Sequence, residues 1–504
     1  MARKKTKKLT LGPILTIVIL NILVIVLSLV FSKIGFVTNK TEIINNELST
    51  TNVVVNNLIS RDGIKFLCSS ILDNFKNFNV LYVFIIALLG IGLADDSGLF
   101  RALFKKCKKF KLSFIIVITL IIGCLMGFLG EYSYAIFLPL TGYIYKNMNK
   151  NPLVGVITMF IALSMGQATG ILPTYLDEAL GKTTELAAQV TVDQSYKFSS
   201  SSMIYIVISS LVAFIIIGVF IIQKYLIPKL PKLKAEEEIE ELEMTNNGLK
   251  YSLIAIFVML FLVLYAVIPG LPLSGSLLGE GNSYLEKLLA DGTPFKESYV
   301  FIFTFILSIA GLIYGFKSKK FKNLDDFTRG FSRSFAGMSI VFVLMFFLSQ
   351  LIALVKWSNL DVFLSSVFIN WLSSLQITGM GLIVFYFIII IMVSILIPDS
   401  LSKWQFIAPI AVPLFMRANM TASFAQYIFE AADGIGKSIS IFFPYTAILF
   451  GLIYKYTDTG SFGFFRLYKM LSPVTILFTI FWIVIIITWY VVGIPTGIGV
   501  LPSL

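Results

Sequence analysis

Ionisable residues fall inside stretches of this chain that are otherwise strongly apolar. They are Glu131, Asp177, Asp399, Lys403, Glu430, Asp433 and Lys437. A charged side chain at the centre of a bilayer costs at least ~2.5 kcal/mol, so each such residue needs a partner or a function. A carboxyl group in this setting can carry H⁺ or hold a cation, and these residues are therefore the first candidates for chemistry.

Glu430, Asp433 and Lys437 are spaced three and four residues apart. On a helix this spacing places them on one face and allows Asp433 to pair with Lys437. Two interpretations stay open. The group is a structural ion pair, or an acidic member binds H⁺ or Na⁺ while a solute binds nearby, with Lys437 replacing a bound metal ion. We predict that the ion-coupling residues are Asp177, Glu430, Asp433 and Lys437.

The composition indicates that the solvent of this chain is lipid. Its 504 residues are 57% hydrophobic and only 13% charged, a balance that a water-soluble surface does not accommodate. The net charge of +12 is spread in short clusters between apolar runs, which argues against nucleic-acid binding. The chain has no histidine, so the commonest general base and metal ligand is missing. We expect no enzyme activity, no cofactor and no metal site.

Run length and charge together predict an all-α polytopic protein of the cell membrane. Crossing the hydrocarbon core takes roughly 20 apolar residues, and the basic Met1 to Leu11 segment places the N-terminus in the cytoplasm. Two stretches, 112–148 and 379–416, must enter and leave on one side as re-entrant hairpins if the charge pattern is to hold. The nine predicted spans are 12–33, 78–94, 152–182, 203–226, 250–270, 298–316, 334–356, 424–453 and 472–494.

An internal repeat relates the two hairpins. A shift of 270 residues superposes Tyr134–Pro139 on Trp404–Pro409, and Gly166–Gly170 on Gly436–Ser440. Because the copies start from opposite sides, they form an inverted repeat, a plan that places broken helices near the midplane of transporters. The predicted divisions of the chain are an N-terminal membrane helix and outer loop 1–77, a first repeat 78–226 with the broken helix 152–182, and a cytoplasmic linker 227–249. They continue with a scaffold helix and outer loop 250–297, a second repeat 298–494 with the broken helix 424–453, and a tail 495–504.

Each copy supplies a polar hairpin tip and a helix interrupted by small residues. The tips are Gly130–Ser133 and Pro398–Trp404, and the breaks are expected at Gly166–Pro173 and Asp433–Ser440. Unwound backbone needs protein or a water-filled cavity around it, although small residues also serve close helix packing. The predicted substrate-binding residues are Glu131, Ser133, Thr169, Gly170, Ser400, Ser402, Trp404 and Gly434.

Ser402–Met416 looks like the signature segment of the p-aminobenzoyl-glutamate transporter (AbgT) family, within the ion transporter superfamily. Gly90–Leu99, Asp433 with Pro444, and Tyr454–Gly460 fit the same family, and the similarity starts near residue 78. The resemblance implies a homodimer whose protomer has nine membrane helices and two hairpins. It also implies cation- or proton-coupled transport of p-aminobenzoyl-glutamate, with sulfonamide export in some members. Residues that match functional positions of the family are Asp177, Trp404 and Asp433, and Ser402 lies beside its tip serine.

The chain departs from the family pattern at three places. Ala168–Gly170 stands where the family tends to have Ser-Ala-Asn, Glu430 replaces an arginine, and Gly434–Lys437 replaces a Ser-Thr-Asn region. An arginine could bind a carboxylate through two hydrogen bonds, so its loss leaves the solute open. A related carrier for amino acids, short peptides or dicarboxylates is the alternative. An integral membrane transferase is a remote alternative, because the acidic residues of the outer loop Lys33–Lys76 show no spacing typical of a catalytic site. A passive channel is also disfavoured.

Overall fold

The computed structural model describes residues 12–234, 245–457 and 462–503, and the chain is mostly helical in these ranges. Three features singled out above lie outside the described residues. They are the basic segment Met1 to Leu11, the part 235–244 of the predicted cytoplasmic linker, and the last part of the Tyr454–Gly460 motif.

The helices follow one another through the whole described chain. Their bounds are α1 Pro13–Ile34, α2 Arg61–Ser69, α3 Ile71–Lys76, α4 Asn79–Asp96, α5 Leu99–Phe104, α6 Leu112–Met126, α7 Tyr132–Asn147, α8 Pro152–Met165, α9 Tyr175–Thr191, α10 Ile204–Ile221, α11 Asn246–Val267, α12 Tyr284–Leu289, α13 Pro294–Lys317, α14 Leu324–Ser334, α15 Ser339–Ser358, α16 Leu360–Ser374, α17 Gly379–Leu396, α18 Ser400–Arg417, α19 Ala422–Ile439, α20 Thr446–Tyr456 and α21 Phe464–Val492. Two strands, β1 Val37–Ile44 and β2 Glu47–Val54, form an antiparallel hairpin after α1.

Nine helical segments of the described chain are long and apolar enough to cross a membrane. The number equals the number of predicted spans, but the set differs. Leu112–Leu129 and Gly379–Leu396, the first arms of the two predicted hairpins, meet the length requirement. The predicted spans 152–182 and 424–453 are not among the nine, because each is divided into two helices. Of these, α8, α9 and α20 have fewer than 18 residues, and α19, with 18, carries the three charged residues Glu430, Asp433 and Lys437. That the hairpins are re-entrant and that the repeat is inverted stay predictions.

Of the two predicted helix breaks, the first lies where it was expected and the second lies later in the chain. The first break runs from the end of α8 at Met165 to the start of α9 at Tyr175, as expected. The second was expected at Asp433–Ser440, and this is wrong, because α19 continues to Ile439 and the irregular segment is 440–445. Gly434 serves packing instead, since a Cβ there would lie 2.1 Å from the carbonyl oxygen of Ser164.

The centre of the molecule is the crossing of α8 and α19. All residues of α8 are buried, and α19 is buried from Ala422 to Ser438. Helices α7, α9, α18, α20 and α21 surround them. By contrast α11 buries only Gly248, Ser252 and Val267. The polar breaks and tips are therefore held inside a protein core, while α11 presents apolar side chains outward.

Two extramembrane features tie distant parts of the chain together. The β1–β2 hairpin, which the sequence analysis did not predict, accepts a hydrogen bond at the Asn39 carbonyl from Asn370 Nδ2 at 2.8 Å. Near the other end of the chain, the Thr421 amide donates to the Pro502 carbonyl at 3.0 Å, and the Tyr205 amide donates to the Thr496 carbonyl at 2.9 Å. Residues 495–503 thus join the start of α10 to the start of α19.

Candidate functional site

A cavity of about 440 Å³ lies between the two hairpin tips and the first helix break. Its lining includes four of the predicted substrate-binding residues, Glu131, Thr169, Gly170 and Ser400. The structure thus brings the tips of two hairpins far apart in sequence to one pocket. We call this cavity the central pocket.

Lys437 lines the central pocket at the end of α19 and contacts both tips. Its ammonium nitrogen lies 3.1 Å from Glu131 Oε1 on the first tip and 2.7 Å from Ser400 Oγ on the second. It also lies 3.4 Å from Gln167 Oε1 and 3.5 Å from Asp433 Oδ2. One buried ammonium group therefore joins both tips to both broken helices.

Asp433 is fully buried one helical turn before Lys437. It forms an ion pair with Lys403, whose ammonium group also donates to Ser394 Oγ at 2.9 Å and to the Ile397 carbonyl at 3.0 Å. The other carboxylate oxygen accepts from Ser400 Oγ at 2.5 Å and from Gln167 Nε2 at 3.1 Å. These polar neighbours compensate the burial of a carboxylate.

Asp177 and Glu430 form a second polar group, next to the pocket but outside its lining. Asp177 caps α9, because its Oδ2 accepts from the Thr174 amide at 2.6 Å while its own amide donates to Thr174 Oγ1 at 3.2 Å. Its carboxyl group neighbours that of Glu430. Gln426 Nε2 reaches both residues, at 2.9 Å from Glu430 Oε1 and 3.0 Å from the Asp177 carbonyl.

Four predicted substrate-binding residues lie outside the pocket lining. Ser133 is buried and donates to the Met126 carbonyl at 2.7 Å, and Ser402 is exposed. Trp404 is fully buried, with Nε1 3.1 Å from Thr184 Oγ1 and its ring packed against Phe429. Gly434 packs under α8. Their roles in binding stay predictions.

Sequence reasoning did not assign roles to Lys403, Gln167 and Lys296. Gln167 carries a signal that could have found it, because it stands 270 residues before Lys437 and so at the equivalent position of the repeat. Lys403 was recognised as a charge at membrane depth, but its contact with Asp433 spans two helices. Lys296 lines the pocket from the first turn of α13, and no pattern in the sequence marks it.

Spanning helices around a pocket that polar tips line, with broken helices crossing beside it, define the class of polytopic membrane transporters. A comparison with family models extends this from the class to the family. The model described as the AbgT putative transporter family matches residues 6–504. The chain therefore belongs to this family, whose members are membrane transporters and not enzymes.

Individual relatives are distant. The chain is 25% identical over 495 residues to the p-aminobenzoyl-glutamate transport protein of Escherichia coli (strain K12), which covers 98% of this chain and 94% of the relative. Two solved structures are similar with a TM-score of 0.49 each. The YdaH transporter of Alcanivorax borkumensis shares 22% identity, with 97% of this chain and 100% of that one covered. MtrF of Neisseria gonorrhoeae, described as illuminating a class of antimetabolite efflux pumps, shares 21%, with 98% of each covered.

Proposed function

We propose that the protein is a secondary active transporter that moves p-aminobenzoyl-glutamate or a closely similar solute, coupled to H⁺ or Na⁺. The observation that carries the proposal is the central pocket, which both hairpin tips line and in which Lys437 joins them. The name of the E. coli relative supplies the solute. The alternative is a carrier for amino acids, short peptides or dicarboxylates in the same pocket.

The chemistry of the pocket fits an aromatic solute that carries carboxylates. The ammonium nitrogen of Lys296 lies 5.3 Å from the centre of the Tyr132 ring. It also lies beside Gly130, since a Cβ atom added to Gly130 would be 2.9 Å from this nitrogen. The rings of Tyr134 and Tyr445 stack with 5.2 Å between their centres and also line the pocket. A carboxylate can bind the ammonium group of Lys296, while an aryl ring packs on the tyrosines.

The position of Glu430 removes one objection to an anionic solute. A carboxylate that replaces an arginine would repel such a solute if it lined the pocket. Glu430 is 1% exposed and turns towards Asp177 and Gln426 instead. This supports a solute site built on Lys296 and an ion-coupling site built on Asp177 and Glu430, at separate places.

Contacts between equivalent residues support the inverted repeat. Gln167 and Lys437, 270 residues apart, are in hydrogen-bond contact. Ser164 and Gly434 are also equivalent under this shift, and they bring α8 and α19 together so closely that a Cβ at Gly434 would lie 2.1 Å from the Ser164 carbonyl oxygen. In a two-fold arrangement, equivalent residues meet only near the symmetry axis. We therefore place the axis through this crossing, next to the central pocket, and expect alternating access around it.

The test is transport of labelled p-aminobenzoyl-glutamate by purified protein in liposomes under imposed H⁺ and Na⁺ gradients. We expect gradient-dependent movement that excess unlabelled solute abolishes. Lys296→Met should weaken binding ~10- to 100-fold, the loss expected for a charged hydrogen bond. The matched control is Lys287→Met, an exposed lysine on α12 outside the pocket. Transport of amino acids, dipeptides or dicarboxylates without any of p-aminobenzoyl-glutamate would favour the alternative.

We also propose that the protein is a homodimer in the cell membrane with its N-terminus in the cytoplasm. The family resemblance supports the dimer, and the basic Met1 to Leu11 segment supports the orientation. Mass measurement of the detergent-solubilised protein tests the first statement. Protease access to a tag before residue 1, in sealed vesicles of known orientation, tests the second.

A further inference from the structure

The ammonium group of Lys437 lies in a shell of side-chain oxygens. Four of them surround it, Glu131 Oε1, Ser400 Oγ, Gln167 Oε1 and Asp433 Oδ2, at 2.7 to 3.5 Å. They come from the first tip, the second tip and both broken helices. The Lys437 residue is only 3% exposed, whereas the Glu131 side chain is 43% exposed, so the ammonium group is enclosed while the Glu131 carboxylate reaches the open part of the pocket.

A shell of carboxylate, amide and hydroxyl oxygens is the environment that hard cations select. An ammonium group offers three N–H donors and one positive charge, which equals the charge of Na⁺. We propose that Lys437 occupies a cation site as a tethered cation, so that no free Na⁺ binds between the tips and the protein works without Na⁺. The inference deepens the proposed transport function, and its consequence for transport rests on that function.

Charge balance in the contact network agrees with this assignment. Lys403 and Lys437 face Asp433 and Glu131, so two positive charges meet two negative ones. Without the Lys437 ammonium group, the buried Asp433 and the partly exposed Glu131 would face Lys403 alone across the space that the ammonium group leaves. That space would hold excess negative charge and oxygen ligands, and both favour uptake of a monovalent cation.

Three further charged groups line the pocket outside this contact network, Asp291, Lys296 and Asp399. Asp399 lines the same pocket, and its Oδ2 accepts from the Ser402 amide at 2.9 Å as the cap of α18. Lys296 lines the pocket on the far side of the first tip, near Tyr132. Helix α8, which crosses α19 at this point, contributes no titratable side chain. The cation in direct contact with oxygens from both tips is therefore Lys437.

Thermal unfolding of the purified protein, with NaCl exchanged for choline chloride at constant ionic strength, tests the inference without any solute. We expect the Tm of the wild type to be the same in both salts. Lys437→Ala should show a saturable rise of Tm with Na⁺ and none with choline, because a ligand that binds only the folded state stabilises it. The matched control is Lys455→Ala, which removes a lysine that contacts Tyr143 outside the pocket and should behave as the wild type.

Transport provides the second readout. The wild type should move p-aminobenzoyl-glutamate at equal rates in Na⁺ and choline, whereas Lys437→Ala should need Na⁺, with a rate at least tenfold lower in choline. Lys437→Ser, which adds an oxygen to the vacated shell, replaces the alanine variant if that one is not recovered folded. A variant that stays folded only in Na⁺ also supports the site.

A Na⁺-specific rise of Tm in the wild type overturns the inference, and so does a folded Lys437→Ala or Lys437→Ser without any response to Na⁺. The thermal measurement separates this failure from failure of the proposed function. If the wild type moves no p-aminobenzoyl-glutamate, the proposed function fails while the Na⁺ response still decides the role of Lys437. If transport is intact but depends on Na⁺ in the wild type, the inference fails alone.

Discussion

Lys403 and Asp433 form an ion pair from which water is fully excluded, joining α18 to α19 beneath the second hairpin tip. Each side chain has no exposed surface. Such a pair costs much desolvation and is stable only while both partners and their further hydrogen bonds are present. Ser394, Ile397 and Ser400 supply those bonds.

Removal of one partner should therefore destabilise the protein strongly. We expect Lys403→Met to lower the free energy of unfolding by ~3–5 kcal/mol, because it leaves the Asp433 carboxylate buried without this counter-charge. Denaturant unfolding of the purified protein measures it. Lys356→Met, at the exposed end of α15, is the control. A double variant with Asp433→Leu should cost less than the sum of the single variants, and an additive result would contradict the pairing.

Asp177 and Glu430 are neighbouring carboxyl groups joined through Gln426, and we predict that they share one proton. Two neighbouring carboxylates in a poorly hydrated interior cannot both stay ionised. Glu430→Gln keeps a hydrogen-bond donor towards Asp177 without a dissociable proton. We expect this variant to bind and exchange solute but to lose accumulation driven by a pH gradient, measured in liposomes with a pH-sensitive dye inside.

The control for this experiment is Glu185→Gln, on the same helix α9 as Asp177. Glu185 accepts from the Phe198 amide at 2.9 Å and from Lys197 at 3.2 Å, on a surface away from the pair. Coupling should be unchanged in that variant. Proton movement per solute that is equal in Glu430→Gln and in the wild type would remove the pair from the coupling role.

Trp404 provides a test of direct against indirect contributions to binding. Its indole nitrogen donates to Thr184 Oγ1 and to the Leu180 carbonyl, so Trp404→Phe leaves two acceptors of α9 without this donor. We expect a loss of ~1–3 kcal/mol in stability and a solute Kd within about twofold of the wild type, as Trp404 does not line the pocket. A Kd raised tenfold with stability unchanged would instead place the ring against the solute.

Two glycines of the predicted site should respond differently to alanine. At Gly434 the new Cβ would lie 2.1 Å from the Ser164 carbonyl oxygen, so α8 and α19 must separate. At Gly170 the nearest atoms are the Leu172 carbonyl oxygen at 3.5 Å and Val207 Cγ1 at 3.6 Å, which is ordinary contact. We expect Gly434→Ala to cost ~1–3 kcal/mol as overpacking does and Gly170→Ala to be near neutral. Equal Tm values for the two variants would contradict this packing.

The sequence predicted those features of the site that depend on local patterns. Membrane helices follow from apolar run length, the ion pair of Asp433 and Lys437 follows from helical spacing, and the first break follows from Gly166–Pro173. The breaks were harder to place where glycine serves another purpose. Gly434 and Gly436 permit close packing on α8 and α17, so the second break comes later, at 440–445.

Features that depend on tertiary placement could not be predicted. Ser400 and Ser402 both belong to the second tip, and successive helical residues are turned by about 100°, so only the fold decides which faces the pocket. Ser400 does, and Ser402 is exposed. Lys403 and Asp433 stand 30 residues apart on separate helices, and Lys296 reaches the pocket from a third. No spacing rule connects such residues.

The hydrogen bonds of residues 495–503 to Thr421 and Tyr205 have a consequence for biosynthesis. The amide of Thr421, immediately before α19, has its partner at Pro502, so this contact cannot form until residue 502 has left the ribosome. Chains fold from their N-terminal parts during synthesis. The start of the helix that carries Glu430, Asp433 and Lys437 is therefore fastened only after elongation has passed residue 502.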